Sequence, residues 1–351
     1  MKCFRPALLI TAIVLLYGCC KDCKFPLDNS YNPNDVRVYP ADEYEMLFSH
    51  SGGVRIRGYG GISLKLSDGR IMWLLWETMI KITDSANGNH TYYPTLDNAI
   101  AIQDWNNLTI LYGGTPDSVT AYLIPPDSGF KYYPLNAIET DDAIQVVCAK
   151  IEDYSSFGYL SYAVKSIDVV SLSKNDLAVT DITRKISSTR NLFGTGFIED
   201  GGYLYIYGTR DDGLVFARTT PGSLLNQWEY KNGIGWSTDP DQAIVYSSEI
   251  DFPVFMDVFK KDNVFYTVIR DDRYDQNLYL IKADRPTGEW TRVKEIIDSR
   301  FLNIGTLVYD AIIHWDLGTP EEVLMSVNSY YEDPYGPQDE DIHFFIIENL
   351  W

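Results

Sequence analysis

A repeated unit of about 60 residues is the feature that most limits how this chain can fold. The segment Glu199 to Tyr230 aligns with Lys261 to Arg292. Each copy runs as a turn, a strand, Arg-Asp-Asp, a second strand, a Pro- and Gly-containing connection, and a Trp. Arg210 of the first copy recurs as Arg270, a spacing of 270 − 210 = 60. Several short strands in a unit of this length are typical of the blades of a β-propeller.

Weaker copies extend the repeat along the chain. Trp228 recurs as Trp290, and related patterns run from Asp141 to Leu172 and from Tyr309 to Tyr331. About 300 residues divided by about 60 gives roughly five units. We therefore predict an all-β fold, a five-bladed β-propeller of four-stranded antiparallel blades, over residues 54–351. A β-sandwich with incidental internal similarity is the alternative.

The N-terminus has the pattern of a secretory signal. Lys2 and Arg5 precede an apolar run from Ala7 to Gly18, which is too short to span a bilayer comfortably. Gly18 directly before Cys19 resembles a bacterial lipobox. We expect residues 1–18 to be a lipoprotein signal peptide and residues 19–53 to be a lipidated Cys19 followed by a tether. A plain cleaved signal and an uncleaved anchor are the alternatives. This places the protein in the bacterial cell envelope, with the outer membrane preferred.

Charge and cysteine content limit the partners. The formal net charge is −20, so the chain offers no basic face for nucleic acid. Its five cysteines fit neither a disulfide framework nor a zinc pattern. We expect a monomer that touches the membrane through its lipid only, with no cofactor and no catalytic metal. A structural cation near the propeller axis stays open.

The stretch "GYGGISLKLSDGRIMWLLWETMI", Gly58 to Ile80, resembles the opening of a group of five-bladed propellers common in bacterial lipoproteins. The resemblance implies a fold related to arabinanases and fructosidases, and some members of the group cleave arabinofuranosyl linkages. It also implies an acid before the first inner strand and a strand that ends in Gly-Asp-Thr. This chain has glycines at the first place, within Arg57 to Ser63, and Trp76-Glu77 at the second.

Glycoside hydrolysis normally needs two carboxyl groups across the scissile bond, so we looked for a pair. Glu77 ends an apolar strand, the kind of position that faces a propeller pocket. The predicted catalytic set is Glu77, Glu249 and Asp310, because the last two open inner strands of later blades. Three other acids at strand starts are further candidates for the second carboxylate: Asp251, Asp141 and Asp142. For each of them, an ordinary solvated carboxylate is the alternative.

Four further residues form the predicted ligand-binding set: Trp76, Tyr59, Asp251 and His314. Trp76 replaces a glycine of the resembling group and either stacks on a sugar or fills the pocket. Related propellers sometimes hold an axial cation near an inner-strand histidine, whereas packing is the alternative for His314.

The leading interpretation is a lipid-anchored propeller of the cell envelope that binds or processes an oligo- or polysaccharide. A glycoside hydrolase acting on a furanosyl polymer is the first alternative, and a non-catalytic scaffold for other proteins is the second. Fold analogy alone is a weak argument for either sugar-directed function.

Overall fold

The computed structural model describes residues 36–50, 54–83, 90–92, 95–115, 118–153, 162–187, 190–210, 213–246, 250, 252–270, 277–302, 304, 307–319, 321–331 and 339–351. These residues form five antiparallel blades arranged as a propeller, with few helices, which confirms the predicted fold class. Trp228 and Trp290, which recur in the repeat, are both buried in the packing between strands.

The elements follow one another blade by blade. Strand β1 (Arg37–Pro40) and helix α1 (Asp42–His50) come first. Blade 1 contains β2 (Val54–Lys65), β3 (Ile71–Thr83), β4 (His90–Tyr92), β5 (Leu96–Asp104) and β6 (Asn107–Leu111). The hairpin of β7 (Gly113–Thr115) and β8 (Ser118–Thr120) leads to blade 2, which contains β9 (Lys131–Glu139), β10 (Ala143–Asp153), β11 (Tyr162–Ser173) and β12 (Val179–Ile186).

The remaining three blades use the rest of the strands. Blade 3 contains β13 (Leu192–Asp200), β14 (Tyr203–Arg210), β15 (Gly213–Thr219), β16 (Glu229–Lys231) and β17 (Trp236–Ser237). Blade 4 contains β18 (Phe259–Lys261), β19 (Val264–Arg270), β20 (Asn277–Ala283) and β21 (Thr291–Asp298). Blade 5 contains β22 (Leu307–His314), β23 (Glu322–Tyr331) and β24 (Asp339–Glu348). Short 3-10 helices cover Pro240–Gln242, Ser299–Leu302 and Trp315–Leu317.

The uninterrupted apolar run of β3 follows from its position between two neighbours. Successive side chains of a strand point to opposite faces. Leu74 and Trp76 join the cluster that packs on blade 2, whereas Trp73 and Leu75 join the cluster on the side of blade 5 and α1. Because both faces of the blade are covered, both sets of alternating positions are apolar.

Strand β1 closes the ring. It pairs with β24 as the outermost strand of blade 5, with Arg37 opposite Glu348 and Pro40 opposite Phe345. Val38 is 1% exposed and packs in the blade 5 core. Residues 36–50 therefore belong to the folded domain, and the prediction that the tether extends to residue 53 is wrong for them. A four-residue strand whose partner lies some 300 residues away leaves no local pattern to recognise.

Helix α1 wedges between blades 5 and 1. Phe48 lies edge-on to Trp73, with ring centroids 5.2 Å apart, and contacts Phe344 at 4.7 Å. The Glu45 carboxylate accepts a hydrogen bond of 2.9 Å from the backbone N–H of Phe344. In the part of the chain that the structure describes, no helix has the length and apolar content needed to cross a bilayer.

The first strands of the blades surround the axis and run in one direction. Tyr59 of β2 contacts Asp310 of β22, and four residues later Ser63 contacts His314. We call the rim where these inner strands begin the front face, and the rim where they end the back face. Since β22, β23, β24 and β1 alternate in direction, β1 begins at the back face.

His314 joins blade 5 to blade 1. Its Nδ1 lies 2.8 Å from the Ser63 hydroxyl and its Nε2 lies 2.8 Å from the Ser326 hydroxyl. The ring is 1% exposed and meets Trp73 edge-on, with centroids 5.0 Å apart. Burial lowers the pKa of His314 to about 3, so the imidazole is neutral in the folded protein at neutral pH.

The ring closure gives a first prediction. Val38→Ala should lower the free energy of unfolding by about 2 kcal/mol, because it removes two buried methyl groups from the closing strand. Val179→Ala is the matched control, since Val179 is 42% exposed on blade 2 and its loss should change stability by less than about 0.5 kcal/mol. Urea unfolding measures both variants. Equal stabilities for the two would contradict a closing role for β1.

The buried imidazole gives a second prediction, on pH dependence. The unfolded chain binds a proton at His314 below about pH 6.5, whereas the folded chain does so only near pH 3. The contribution of His314 to stability is therefore complete above pH 6.5 and is lost as the pH falls, with a slope of up to about 1.4 kcal/mol per pH unit.

The measurement compares unfolding free energies of wild type and His314→Gln between pH 7 and 4.5. All other titrating groups are common to both proteins, so the difference in slope isolates the histidine. We expect stability to fall more steeply in wild type than in the variant. Parallel pH profiles would contradict a neutral, buried His314.

Candidate functional site

Glu77 sits in an interruption of β3 on the front face. Trp76 pairs with Tyr59 of β2, but the next pair is Arg57 with Met79, so the register shifts at this point. Glu77 has a φ of 40°, in the left-handed region that side chains other than Gly seldom adopt. Such strained positions and bulges re-aim side chains and concentrate at functional sites.

Gly58 makes this geometry possible. A Cβ atom at Gly58 would lie 2.8 Å from the carbonyl oxygen of Trp76 and 2.9 Å from the Cα of Thr78. Because that space is filled by backbone, a side chain at this position would force the two strands apart. The sequence has glycines where the resembling propellers carry their first acid. One of them is Gly58, and the backbone around Glu77 leaves no space for a side chain at this position.

The Glu77 carboxylate reaches across to blade 2. Its Oε1 accepts a hydrogen bond of 2.5 Å from the hydroxyl of Tyr133, which lies near the start of β9. Asn98 of β5 fixes this part of β9, because its amide donates to the carbonyl oxygens of Leu123 and Tyr132 at 2.9 and 2.8 Å. Glu77 is partly exposed, whereas Tyr133 and Asn98 are buried.

The side chain of Trp76 is buried on the front face next to Glu77. It is 4% exposed, and its indole N–H donates to the carbonyl oxygen of Pro134 at 2.5 Å. Tyr133 stacks on the indole with ring centroids 4.6 Å apart, and Phe255 meets it edge-on at 4.6 Å. Of the two roles that the sequence left open for Trp76, the structure shows pocket filling and leaves the ring no open face for a sugar.

Asp310 also lies on the front face, on β22, the inner strand of blade 5. It is 5% exposed, and its Oδ2 accepts a hydrogen bond from the hydroxyl of Tyr59. The register of β22 against β23 shifts between Val308 and Ala311, so Asp310 also sits in a bulge. Tyr59 in turn lies 5.8 Å from Trp76, measured between ring centroids.

The two acids are thus linked to one aromatic group, each through a tyrosine that contacts Trp76. We define the front cluster as Tyr59, Trp76, Glu77, Tyr133, Phe255 and Asp310. Each carboxylate holds a different tyrosine hydroxyl, and both tyrosines lie against Trp76. Charge-assisted hydrogen bonds of this kind are among the stronger ones in proteins. Because both phenols donate their protons to the carboxylates, the remaining lone pairs of the carboxylate and phenol oxygens can accept hydrogen bonds from the hydroxyl groups of a polar ligand.

Asn328 adds an unsatisfied polar group next to Asp310. It lies on β23 between the residues paired with Val308 and Ala311, and it is 1% exposed. Neither atom of its amide finds a hydrogen-bond partner in the described structure. A buried amide left unpaired costs stability, so this position is suited to an ordered water or to a polar ligand.

The other predicted site residues lie elsewhere. Glu249 and Asp251 fall outside the described residues, so the structure places neither. His314 has both ring nitrogens in hydrogen bonds to serines, the packing role that stood as its alternative. Within the described segments, no group of three or more His, Cys, Asp or Glu side chains is arranged to hold a metal ion.

Sequence reasoning missed Tyr133, Asn98 and Phe255, and it gave no partner for Asp310. Tyr132-Tyr133-Pro134 opens the inner strand of blade 2, the same position from which acids were sought in the other blades. A search of inner-strand starts for every polar side chain, rather than for carboxylates alone, would have found Tyr133.

Comparison with solved structures shows the fold in other proteins. A presumed hydrolase from Bacteroides ovatus ATCC 8483 is 20% identical, with a TM-score of 0.70 over 89% of this chain and 90% of that one. The α-L-arabinofuranosidase PaAbf62A from Podospora anserina, solved in complex with cellotriose, is 13% identical, with a TM-score of 0.50 over 84% and 91% of the two chains.

A third likeness is lower. The family 43 β-xylosidase/α-arabinofuranosidase CoXyl43 from a compost microbial metagenome, solved with xylotriose, is 11% identical and covers 82% of this chain and 91% of its own, with a TM-score of 0.46. No protein among the curated sequences matches this chain. One sequence family matches residues 41–341, which is most of the chain and covers blades 1 to 4 and the first two strands of blade 5. The chain therefore belongs to DUF5005, a family described as a domain of unknown function.

Proposed function

We propose that this propeller binds carbohydrate on its front face, at the front cluster. The observation that carries the proposal is the convergence of Glu77 and Asp310, from blades 1 and 5, on one aromatic group. Carboxylates and phenols are the groups that recognise sugar hydroxyls, and the fold is shared with an arabinofuranosidase solved with cellotriose.

Binding fits the cluster better than hydrolysis does. A hydrolase needs room between its two carboxyl groups for a glycosidic bond, and in an inverting enzyme for a water as well. Here the indole of Trp76 packs against both tyrosines that the acids hold, and it is 4% exposed. Trp76 stands where the resembling propellers have a glycine, so the ring occupies space that would otherwise be open.

Glycoside hydrolysis of a furanosyl polymer is the second candidate, and the same pair of acids supports it. Glu77 and Asp310 both sit in strand interruptions that turn them toward the front rim. Glu249, which the sequence predicts as a partner, lies outside the described residues. Hydrolysis requires one carboxyl group that keeps its proton and a second carboxyl group that is ionised.

A lipid anchor would join the folded domain on the side opposite the front cluster. We propose that Cys19 carries lipid and holds the domain on a bacterial envelope membrane, with the outer membrane preferred. Strand β1 begins at the back face, where Arg37 pairs with Glu348. A chain of 17 residues from Cys19 to Val36 spans at most about 60 Å. A tether of this length would leave the front face accessible to a polymer.

The sugar-binding proposal is tested by substituting the two acids. Glu77→Gln and Asp310→Asn should each weaken binding of a sugar found on a glycan array by about tenfold, which is about 1.4 kcal/mol. Each amide keeps an oxygen that can accept from its tyrosine, so the fold is preserved while the charge is lost. Asp142→Asn, at an exposed turn on the back face, is the matched control and should bind as wild type does.

A reducing-end release assay on the same variants separates the candidates. Release of sugar by wild type that disappears in Glu77→Gln would establish the hydrolase. Binding without release supports the proposal. Unchanged affinity in both acid variants would remove the front cluster as the site. Absence of both binding and release across the array would favour the third interpretation, a scaffold for other proteins.

The anchor is tested independently. Cys19→Ser, expressed with its leader in a bacterial host, should move the protein from the membrane fraction to the soluble fraction and abolish labelling by a fatty acid. Cys20→Ser is the matched control, one residue away, and should stay membrane-bound and labelled. A Cys19→Ser protein that still carries lipid would contradict the assignment.

A further inference from the structure

A cavity opens on the axis at the back face, opposite the front cluster. Its volume is about 390 Å³, within the range of small-molecule sites. Every blade contributes to its wall, through Ser63, Ile138, Phe197, Asp257, Phe259 and Trp315 among others. Each of these residues lies within, beside or just after the inner strand of its blade, so the cavity is built by the propeller as a whole.

The charged residues of the cavity are mostly acidic. Glu199, Lys260 and Asp316 are exposed and stand at the mouth, whereas Asp257 is only partly exposed. The Lys260 ammonium already pairs with Asp200, whose Oδ1 lies 2.6 Å from the lysine Nζ. Ser63 and Ile138 bring no charge from blades 1 and 2. The interior therefore carries uncompensated negative charge.

Asp257 is poorly satisfied for a carboxylate. Its Oδ2 accepts one hydrogen bond, of 3.3 Å, from the backbone N–H of Trp315. Burial raises the pKa of Asp257 to about 7, the Trp315 N–H opposes the rise, and the nearby Asp316 adds to it. A partly buried carboxylate that lies beside a like charge is stabilised by any cation that can reach it.

The rest of the wall indicates what kind of cation fits. Ile138, Phe197 and Val258 line the cavity with apolar side chains. The ring of Trp315 stacks face to face on Phe259, with centroids 3.8 Å apart, which gives one side of the cavity a rigid aromatic wall. In the described part of the chain no group of three or more His, Cys, Asp or Glu side chains surrounds a point, so Asp257 has no second ligating side chain built around it for a metal ion. A cation with a carbon skeleton uses both the charge and the apolar wall.

We propose that the back-face cavity binds a small organic cation, an amine whose ammonium group pairs with Asp257 while its carbon skeleton lies against the apolar wall. The site is separate from the front cluster and stands independently of the sugar-binding proposal. A charged ammonium next to a partly buried carboxylate makes a charge-assisted hydrogen bond, and the Trp315 ring can add a cation–π contact.

The test uses the full chain and two probes of the same shape, benzylamine and benzyl alcohol. Isothermal titration at pH 8 should show binding of benzylamine at least tenfold tighter than binding of the alcohol. Asp257→Asn should remove that preference, since it deletes the charge and keeps the shape. Asp241→Asn, on the exposed outer part of blade 3, is the matched control and should behave as wild type.

A pH series on wild type provides the second readout. Benzylamine affinity should fall at least tenfold from pH 8 to pH 5.5, because Asp257 gains a proton as the pH drops below about 7. Benzyl alcohol should show no such fall. The other charged groups at the cavity, Glu199, Lys260 and Asp316, are common to both probes.

Three results would overturn the proposal. Equal affinity of wild type for the amine and the alcohol would show an apolar site without charge recognition. No binding of either probe at millimolar concentration would show that the cavity takes no such ligand. An unchanged preference in a folded Asp257→Asn variant would assign the ammonium to another carboxylate. The probe comparison on wild type decides the matter even if that variant does not fold.

Discussion

The backbone pairing of the first strand with the last closes the ring and joins the two ends of the folded domain. Arg37 to Pro40 complete blade 5, so the N-terminal and C-terminal parts of the chain share one sheet. A closed ring of this kind leaves only short and protected strand edges. Blades 5 and 1 then meet in a seam that helix α1 covers from the outside.

The seam connects stability to the candidate site. His314 crosses the seam through its contact with the Ser63 hydroxyl, and four residues earlier on the same strand Asp310 crosses it through the hydroxyl of Tyr59. The same pair of inner strands therefore carries a neutral packing residue toward the back face and an acid at the front face. Loosening of the seam would move Asp310 relative to Glu77, because the two acids belong to blades on either side of it.

Interruptions of the inner strands determine where the acids point. Regular pairing would continue the alternation of buried side chains past Trp76, but the shift opposite Gly58 turns Glu77 to the rim. Asp310 lies in a similar register shift, between Val308 and Ala311 of β22. Inner strands β9 and β13 are also irregular against their neighbours. Register shifts of this kind bend a strand locally and re-aim its side chains, which is how both acids leave the regular alternation of their strands.

Much of the fold could be predicted from the sequence, because blades are local units whose strands and turns repeat. The apolar run of β3 and the recurring Trp228 and Trp290 gave the propeller correctly. The place of β1 could not be predicted, since its partner is distant and its four residues carry no period. Glu77 and Asp310 were identified as single residues, but their tyrosine partners depend on which blades meet, which only the closed ring defines.

The central claim is that the front cluster is the ligand site, and hydrogen exchange on the intact protein tests it most directly. Amide exchange would be measured with and without an oligosaccharide that the protein binds. The account predicts slower exchange in the segments that contain Glu77, Tyr133 and Asp310, which belong to three different blades and meet at one rim. Protection confined to the back-face segments of β13 and β18, or to the outer strands, would contradict it.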